Sequence, residues 1–373
     1  MKVVIIGAGI AGLSIGWRLA QAGCAVTVLE RARPGGAATW ASGGMIAATA
    51  ERPGMSADEN RFALHSAALW PAFASEIEKA SGRPVHYARV GTLIAALTAE
   101  GYTELSAGIT GETRMLTPPE TLALEPLLRS DIAGGLWAPG DAMVDNRLVG
   151  LALAFAFVGA GGTLNINEAV VRLEVAGNAI AGARTPFALH TADAYVIAAG
   201  AWSGEIAGLP PEAIPATLPV KGEMIALLPP GGQALPSRLV WGNSVYLIPR
   251  RDRLFIGATV SKEGFDTSTT DAARLFLHSH ACALMPDLAK WEIVEQWAGL
   301  RPGTPDGLPL IGETAIPGLF VASGQFRNGV LFAPAIAKAI CDLVAGQKRL
   351  PELEAFRPGR FGPAHLAGGH AVG

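Results

Sequence analysis

The sequence predicts a mixed α/β and α+β fold, in which a parallel sheet flanked by helices is interleaved with an antiparallel sheet. Three observations support this prediction. Half of the 373 residues are hydrophobic, which is enough to form the cores of two domains. The first 30 residues combine β-branched runs, closely spaced glycines and a helical pattern. Residues 215–295 contain β-branched and aromatic runs typical of antiparallel strands.

The N-terminal segment is predicted to form one strand–helix–strand unit. Residues 2–6 and 25–30 have the composition of buried parallel strands, and residues 10–22 have the spacing of an amphipathic helix. Glycines interrupt this apolar stretch, which favours the unit over a signal peptide or a membrane anchor. We therefore expect no targeting segment and a cytoplasmic location.

Three glycines between the first strand and the helix form the pattern Gly-x-Gly-x-x-Gly, typical of a Rossmann-type unit. Gly7 permits the tight turn, Gly9 lets backbone amides reach a pyrophosphate, and Gly12 lets helix and strand pack closely. The helix N-terminus adds positive potential. Glu30, at the end of the second strand, would accept hydrogen bonds from the adenosine ribose. NAD and FAD both fit this unit, so the pattern predicts a dinucleotide without choosing between them.

The remaining segments predict a chain that leaves the Rossmann-type domain and returns to it. Helical spacing marks residues 58–80, 146–162 and 334–345, and β-like runs mark residues 87–94, 135–144, 194–203 and 318–324. The Rossmann-type domain is predicted to comprise residues 1–84, 145–214 and 296–365, and the antiparallel-sheet substrate domain residues 85–144 and 215–295. The glycine-rich tail after Pro363 is predicted to be disordered.

Charge and cysteine usage argue against several functional classes. The 29 basic and 32 acidic residues give a net charge of −3, which favours neither a nucleic-acid groove nor a membrane face. Cys24, Cys282 and Cys341 stand far apart, which argues against a metal knuckle, a disulfide framework or a dithiol centre. The scattered histidines lack metal or triad spacing, so no metal site is predicted. A small-molecule partner is the favoured interpretation.

Five further segments carry a family resemblance: GAGIAGLSIGWRLA at 7–20, ASGGM at 41–45, AAGAWS at 198–203, AGLRPGTPDGLPLIG at 298–312 and GQFRNGVLFAP at 324–334. They resemble the D-amino acid oxidase family of FAD enzymes, and within it the glycine oxidases most closely. The resemblance extends from Lys2 to about Lys348 and implies FAD as the cofactor of the Rossmann-type domain. Because no cysteine lies near the flavin segments, we expect the FAD to be bound non-covalently.

The resemblance also implies which residues hold each part of FAD. The adenosine and pyrophosphate would be held by Ile10, Ala11, Glu30 and Arg31, with Val170 at the adenine edge. The phosphate and flavin would lie along Ala38, Thr39, Gly43, Gly44 and Met45. The flavin ring would contact Gln325, Phe326, Arg327, Asn328, Gly329, Val330 and Leu331. The strand that ends in small residues near Gly200 would let backbone approach the ligand closely.

An amino acid substrate carries a carboxylate, which needs a fixed cation when it is buried beside a flavin. Arg301 is the candidate, because its planar guanidinium can bind a carboxylate bidentately. By resemblance, the hydroxyl of Tyr246 assists and Arg327 reaches both cofactor and substrate. The alternatives are an ordinary salt bridge for Arg301 and plain strand packing for Tyr246.

The substrate-binding set is predicted to be Arg301, Arg327, Tyr246, Asn243 and Met45. Asn243 and Gln325 stand where the glycine oxidases have histidines. The choice between glycine, sarcosine and a small D-amino acid therefore stays open.

The predicted reaction is hydride transfer from the substrate α-carbon to flavin N5, followed by hydrolysis of the imine to a keto or glyoxyl acid and ammonia. Molecular oxygen would take the electrons and give hydrogen peroxide. The alternatives are a D-amino acid dehydrogenase that passes electrons to a quinone or carrier, and a non-catalytic FAD-binding protein. By resemblance, the imine would supply thiamine thiazole synthesis, and a homo-oligomer is a possible assembly.

Overall fold

The structure is a computed structural model that describes residues 1–347 and 351–361. The tail after Pro363, including the last residues assigned to the Rossmann-type domain, lies outside the described residues. The helices are α1 (Ile10–Gln21), α2 (Ala38–Ala41), α3 (Ala57–Ser81), α4 (Ala99–Leu105), α5 (Pro118–Leu124), α6 (Asn146–Gly159), α7 (Asp271–Leu284) and α8 (Gly329–Val344). Within the described ranges, no helix combines the length and the apolar character needed to cross a membrane.

The strands form two large sheets and two small ones. They are β1 (Lys2–Ile6), β2 (Ala25–Leu29), β3 (Met45–Ile46), β4 (Thr92–Ala96), β5 (Arg114–Leu116), β6 (Gly134–Ala138), β7 (Ala142–Met143), β8 (Thr163–Asn165), β9 (Arg172–Ala176), β10 (Ala179–Arg184), β11 (Leu189–His190), β12 (Ala194–Ile197), β13 (Leu218–Leu228), β14 (Leu239–Gly242), β15 (Val245–Arg250), β16 (Arg253–Gly257), β17 (Glu292–Gly303), β18 (Leu310–Glu313) and β19 (Leu319–Ser323).

The first large sheet is the Rossmann-type sheet, with strand order β18-β19-β12-β1-β2-β8. All neighbours pair in parallel except β18, which runs antiparallel to β19. Helices α1, α3, α6 and α8 pack together, and the core that they share with this sheet includes Ile5, Leu13 and Ile336, which are fully buried. The predicted strand–helix–strand unit is confirmed.

The second large sheet has the order β17-β13-β16-β15-β14-β4-β6-β5 and is antiparallel except between β14 and β4. Helix α7 packs on it through a core that includes Leu277 and Leu284. Strand β17 crosses the predicted boundary at residue 296, because its pairing with β13 continues to Gly303. Strand β17 carries Arg301. The two sheets together confirm the predicted mixed α/β and α+β fold class.

Helix α8 begins five residues before the predicted start at Pro334. A proline inside a helix has no N–H for the carbonyl group four residues earlier, which is that of Val330. In the structure, Nε1 of Trp70 on α3 donates to this carbonyl oxygen at 3.2 Å. The side chain of a neighbouring helix therefore provides the hydrogen bond that Pro334 cannot make, and the helix continues through the proline.

Candidate active site

One cavity runs along the carboxyl ends of the parallel strands and reaches the antiparallel sheet. Its wall comes from the turn between β1 and α1, from the ends of β2 and β12, from α2, and from β13, β15 and β17. Most of the predicted site residues line it: Gly7, Gly9, Ile10, Ala11, Glu30, Arg31, Ala38, Thr39, Gly43, Gly44, Met45, Val170, Gly200, Tyr246, Arg301, Gln325, Phe326, Arg327, Asn328, Gly329, Val330 and Leu331. We call the part around Gly9 and Glu30 the nucleotide end, and the part around Tyr246 and Arg301 the reaction end.

Hydrogen bonds within the protein hold the nucleotide end. The N–H of Ile10 donates to Oγ1 of Thr39 at 2.9 Å. The Glu30 carboxylate accepts from the N–H groups of Ala8 at 2.8 Å and Ala32 at 2.9 Å. Helix α1 begins here, and the N–H groups of a first helical turn have no partners within the helix. This end can therefore bind a phosphate through backbone groups.

Two glycines of the Gly-x-Gly-x-x-Gly pattern are required by close backbone contacts. Gly7 has a φ of +104°, and a Cβ there would lie 2.5 Å from the carbonyl oxygen of Ala198. Gly12, grouped with the cofactor-binding glycines for its role in helix–strand packing, does not line the cavity. A Cβ on Gly12 would lie 2.0 Å from the carbonyl oxygen of Gly7. Gly12 therefore allows α1 to pack against the turn, and this packing removes it from the cavity wall.

An aromatic cluster borders the nucleotide end. The guanidinium carbon of Arg31 lies 3.5 Å from the ring centroid of Trp202, and Phe265 stacks on the same ring at 5.6 Å. Burial lowers the pKa of Arg31, and Glu30 acts in the opposite direction. Trp202 lines the cavity, although the sequence analysis did not single it out. Its place in the segment AAGAWS was the available signal.

Residues 325–331 comprise the loop before α8 and the first turn of α8, and they pass along the cavity wall. The N–H of Phe326 donates to the carbonyl oxygen of Pro302 at 2.8 Å, and Nδ2 of Asn328 donates to Oε1 of Glu59 at 3.4 Å. The Gln325 side chain is buried, and its Nε2 has no hydrogen-bond partner within residues 1–347 and 351–361. A buried amide without a partner indicates an acceptor that a ligand supplies.

The residues of the cavity fit FAD. The start of α1 suits the pyrophosphate, and the Glu30 carboxylate, which has further acceptor capacity, suits the ribose hydroxyls. Nε2 of Gln325, which has no partner among the described residues, and the start of α8 suit the carbonyl oxygens and ring nitrogens of a flavin. Apolar side chains such as Met45 and Leu331 complete the wall. The cavity therefore offers donors and acceptors suited to each part of an FAD molecule.

Arg301 is half-buried near the end of β17, at the reaction end. Its Nη1 donates to the carbonyl oxygens of Lys221 at 3.3 Å and Thr259 at 3.1 Å. No carboxylate of the described chain forms an ion pair with it. Since a guanidinium has five N–H donors, Arg301 keeps donors for an anion. Gly222 on β13 makes room for it, because a Cβ there would lie 2.2 Å from Nη1 of Arg301.

The structure brings Tyr246 to the reaction end but not Asn243. Tyr246 lies on β15 and lines the cavity. Asn243 lies in the two-residue turn between β14 and β15, where it and Ser244 have positive φ values of 47° and 65°, as in a type I′ hairpin. Its Nδ2 donates to the carbonyl oxygen of His280 on α7 at 3.2 Å. The predicted substrate contact of Asn243 is therefore corrected, since the hairpin turn directs this side chain to α7.

A buried arginine that no sequence pattern indicated supports the cavity wall. Arg250 is 6% exposed, and its Nη2 donates to the carbonyl oxygen of Gly43 and, at 3.1 Å, to Oδ1 of Asn146. Burial lowers the pKa of Arg250 to about 10. Arg250 thereby links the antiparallel sheet to the Gly43–Gly44 segment of the cavity. No local pattern indicates this contact, because its partners are remote in the sequence.

Arg327 and Glu51 form a charged pair in the same cavity. The Nε of Arg327 lies 3.9 Å from Oε2 of Glu51, and both side chains line the wall. Glu51 was not predicted, because it lies outside the five family segments and follows no recognisable motif. The reaction end therefore contains two guanidinium groups and one carboxylate.

The cysteines lie outside this cavity and form no disulfide. Cys341 is inside α8, where its Sγ lies 3.8 Å from the carbonyl oxygen of Ile15, and burial raises the pKa of its thiol to about 12. In the part of the chain that the structure describes, no group of three or more His, Cys, Asp or Glu residues is arranged to hold a metal ion.

Comparisons with known proteins agree with this geometry. The bifunctional protein ThiO/ThiG of Trichormus variabilis is 36% identical over 370 residues, which are 96% of this chain and 55% of that protein. The chain thus spans about half the length of this relative. The glycine oxidase of Geobacillus kaustophilus is 33% identical over 365 residues, covering 95% of each chain.

The crystal structure of glycine oxidase from Geobacillus kaustophilus superimposes with a TM-score of 0.90 at 32% identity, covering 96% of this chain and 99% of that one. The model of the DAO family, described as FAD dependent oxidoreductase, matches residues 2–343. With the cavity that fits FAD, these matches show that the chain belongs to the DAO family of FAD dependent oxidoreductases.

Proposed function

We propose that this protein is an oxidase that deaminates glycine or a similarly small amino acid, such as sarcosine or a small D-amino acid. The observation that carries the proposal is the Arg301 guanidinium, which has no carboxylate partner among the described residues and faces the same cavity as residues 325–331. A half-buried guanidinium with free donors is suited to a substrate carboxylate. The similarity to glycine oxidases over nearly the whole chain supports the same substrate class.

The roles of the side chains follow from their positions. Arg301 would hold the substrate carboxylate, and two backbone carbonyls hold Arg301 itself. Tyr246 would contribute a hydroxyl hydrogen bond from β15, which lies across the same cavity wall. Bound FAD would supply the hydride acceptor for oxidation of the substrate α-carbon, with molecular oxygen as the final acceptor and hydrogen peroxide as its product. The wall formed by residues 325–331 and Met45 would exclude water from the α-carbon.

The experiment that tests the proposal is an anaerobic substrate screen of the purified, flavin-containing protein. We expect glycine, sarcosine or a D-amino acid to bleach the flavin absorbance near its long-wavelength maximum, and oxygen to restore it with one hydrogen peroxide for each substrate. Bleaching without peroxide would indicate a dehydrogenase that uses another acceptor. Absence of bleaching by every compound would contradict the proposed activity.

The physiological setting is proposed from the same resemblance. We infer that the imine product supplies thiamine thiazole synthesis, which the similarity to ThiO/ThiG supports. A cytoplasmic location and a homo-oligomeric state are proposed with it. Deletion of the gene should make growth depend on added thiazole, and growth without thiazole would contradict this setting.

A further inference from the structure

The reaction end contains a carboxylate that the proposed reaction leaves without a role. Glu51 lines the cavity together with Arg301 and Arg327, and its side chain is 14% exposed. Its ion-pair partner is Arg327, at 3.9 Å between Nε and Oε2. Over the described ranges of the chain, no group donates a hydrogen bond to the Glu51 carboxylate. A largely buried carboxylate that accepts no hydrogen bond is stabilised when a bound ligand donates one to it.

The other two buried carboxylates of this region are satisfied by the protein. Asp141 accepts from the N–H groups of Thr49 at 3.0 Å and Ala50 at 3.2 Å. Glu59 accepts from Nδ2 of Asn328 at 3.4 Å. Glu51 therefore differs from its acidic neighbours, because it lines the cavity and its carboxylate accepts no hydrogen bond from residues 1–347 or 351–361.

The charges around Glu51 come from several elements. Burial raises the pKa of Glu51, Arg327 and Arg301 lower it, and Asp141 raises it. Glu51 in turn raises the pKa of Glu59. A carboxylate whose ionised form is disfavoured by burial gains stability from a further cation placed beside it.

We propose that Glu51 binds the amino group of the substrate and makes the site selective for amino acids over carboxylic acids that lack an amine. The inference rests on the proposed function. Among the described residues, no carboxylate forms an ion pair with the Arg301 guanidinium. Among the same residues, no group donates a hydrogen bond to the Glu51 carboxylate. Two such groups in one cavity are complementary to a molecule that carries a carboxylate and an ammonium group. Glu51 is thus a specificity-determining residue beside the carboxylate-binding Arg301.

The test compares two ligands that share a carboxylate but differ at the α-carbon, glycine and glycolate. The apparent Kd for glycine is taken from anaerobic flavin reduction, and the Kd for glycolate from the perturbed flavin spectrum. For Glu51→Gln we expect the Kd for glycine to rise about 10- to 100-fold, as for loss of a charge-assisted hydrogen bond. The Kd for glycolate should change by less than about threefold, since it has no ammonium group.

Two control variants make the result specific. Glu51→Asp keeps the charge and should recover part of the glycine affinity, whereas the exposed Glu112→Gln should match the wild type. Flavin content and melting temperature verify that each variant is folded.

Equal losses for glycine and glycolate would overturn the inference, since they would mean that Glu51 only supports Arg327. Unchanged glycine affinity in Glu51→Gln would overturn it as well. If no amino acid bleached the wild-type flavin, the proposed function itself would fail, and the inference would fall with it.

Discussion

The nucleotide end and the reaction end of the cavity differ in how their polar groups are paired. At the nucleotide end, the carboxylate of Glu30 accepts two backbone N–H groups, and Thr39 accepts one from Ile10. At the reaction end, Arg301 has no carboxylate partner and Nε2 of Gln325 has no acceptor among the described residues. The side chains of the nucleotide end are therefore held by backbone groups of the protein, whereas the reaction end has side-chain groups that ligands complete.

This difference separates the expected effects of mutation. Changes to the position or charge of Arg301 at the reaction end should alter turnover while flavin content is retained, because this guanidinium is assigned to the substrate. Changes at the nucleotide end should alter flavin content and stability, because backbone packing shapes that end.

Arg301→Ala removes the cation that we assign to the substrate carboxylate. We expect kcat/KM to fall by an amount equivalent to about 2–5 kcal/mol, as for the loss of one member of a buried charge pair. Flavin content should stay at the wild-type level. Steady-state peroxide formation and the flavin absorbance measure the two quantities. The exposed Arg251→Ala is the matched control, and unchanged kcat/KM in Arg301→Ala would exclude this residue from carboxylate binding.

Gly222→Ala tests whether the position of the guanidinium matters as much as its charge. The new Cβ would lie 2.2 Å from Nη1 of Arg301, so the guanidinium must move. We expect kcat/KM to fall about 10- to 100-fold with flavin retained, because displacement of about 1 Å can have an effect of this size. Gly231→Ala, where a Cβ meets open space, is the control. A loss of flavin in place of turnover would contradict the separation between the two ends.

Gly12→Ala tests the nucleotide end. The new Cβ would lie 2.0 Å from the carbonyl oxygen of Gly7, and the contact is to backbone that cannot rotate away. We expect the free energy of unfolding to fall by about 1–3 kcal/mol and the Kd for FAD to rise, because α1 must move away from the turn. Denaturant unfolding and FAD titration of the apoprotein measure these changes. Gly111→Ala should behave as wild type, and wild-type FAD affinity in Gly12→Ala would contradict the packing role.

Cys341→Ala has the smallest expected effect. The thiol lies inside α8 with a pKa raised by burial to about 12, so it is protonated at neutral pH and distant from the cavity wall. We expect unchanged flavin content and kcat/KM, and acid precipitation should release the flavin from wild type and variant alike. Flavin that stays with the wild-type pellet but not with the variant pellet would show a covalent bond at Cys341.

The cofactor half of the site was the more predictable part. Gly7, Gly9 and Glu30 lie within one short stretch whose strand, turn and helix have their own local signals, and the structure confirms that strand–helix–strand unit. Arg301 and residues 325–331 were accessible through the family resemblance, and the structure brings both to one cavity.

Other residues could not be predicted, because their surroundings are formed by remote segments. The start of α8 was placed too late, since the hydrogen bond from Trp70 that replaces the missing N–H of Pro334 comes from another helix. Asn243 was placed in the pocket, although the φ values of its hairpin turn direct it elsewhere. Glu51 and Arg250 carry no motif, and their importance depends on Arg327 and Gly43, which are distant in the chain.

The sequence by itself determined the fold class, the dinucleotide-binding turn and the family, because each depends on hydrophobic periodicity or on residues within a few positions of one another. Only the tertiary structure decided which charged groups remain unpaired at the reaction end. Pairing depends on distances between side chains from β13, β15, β17 and the loops, and these distances exist only after the two large sheets have packed together. Local pattern therefore specifies the FAD-binding turn, and long-range packing specifies the substrate site.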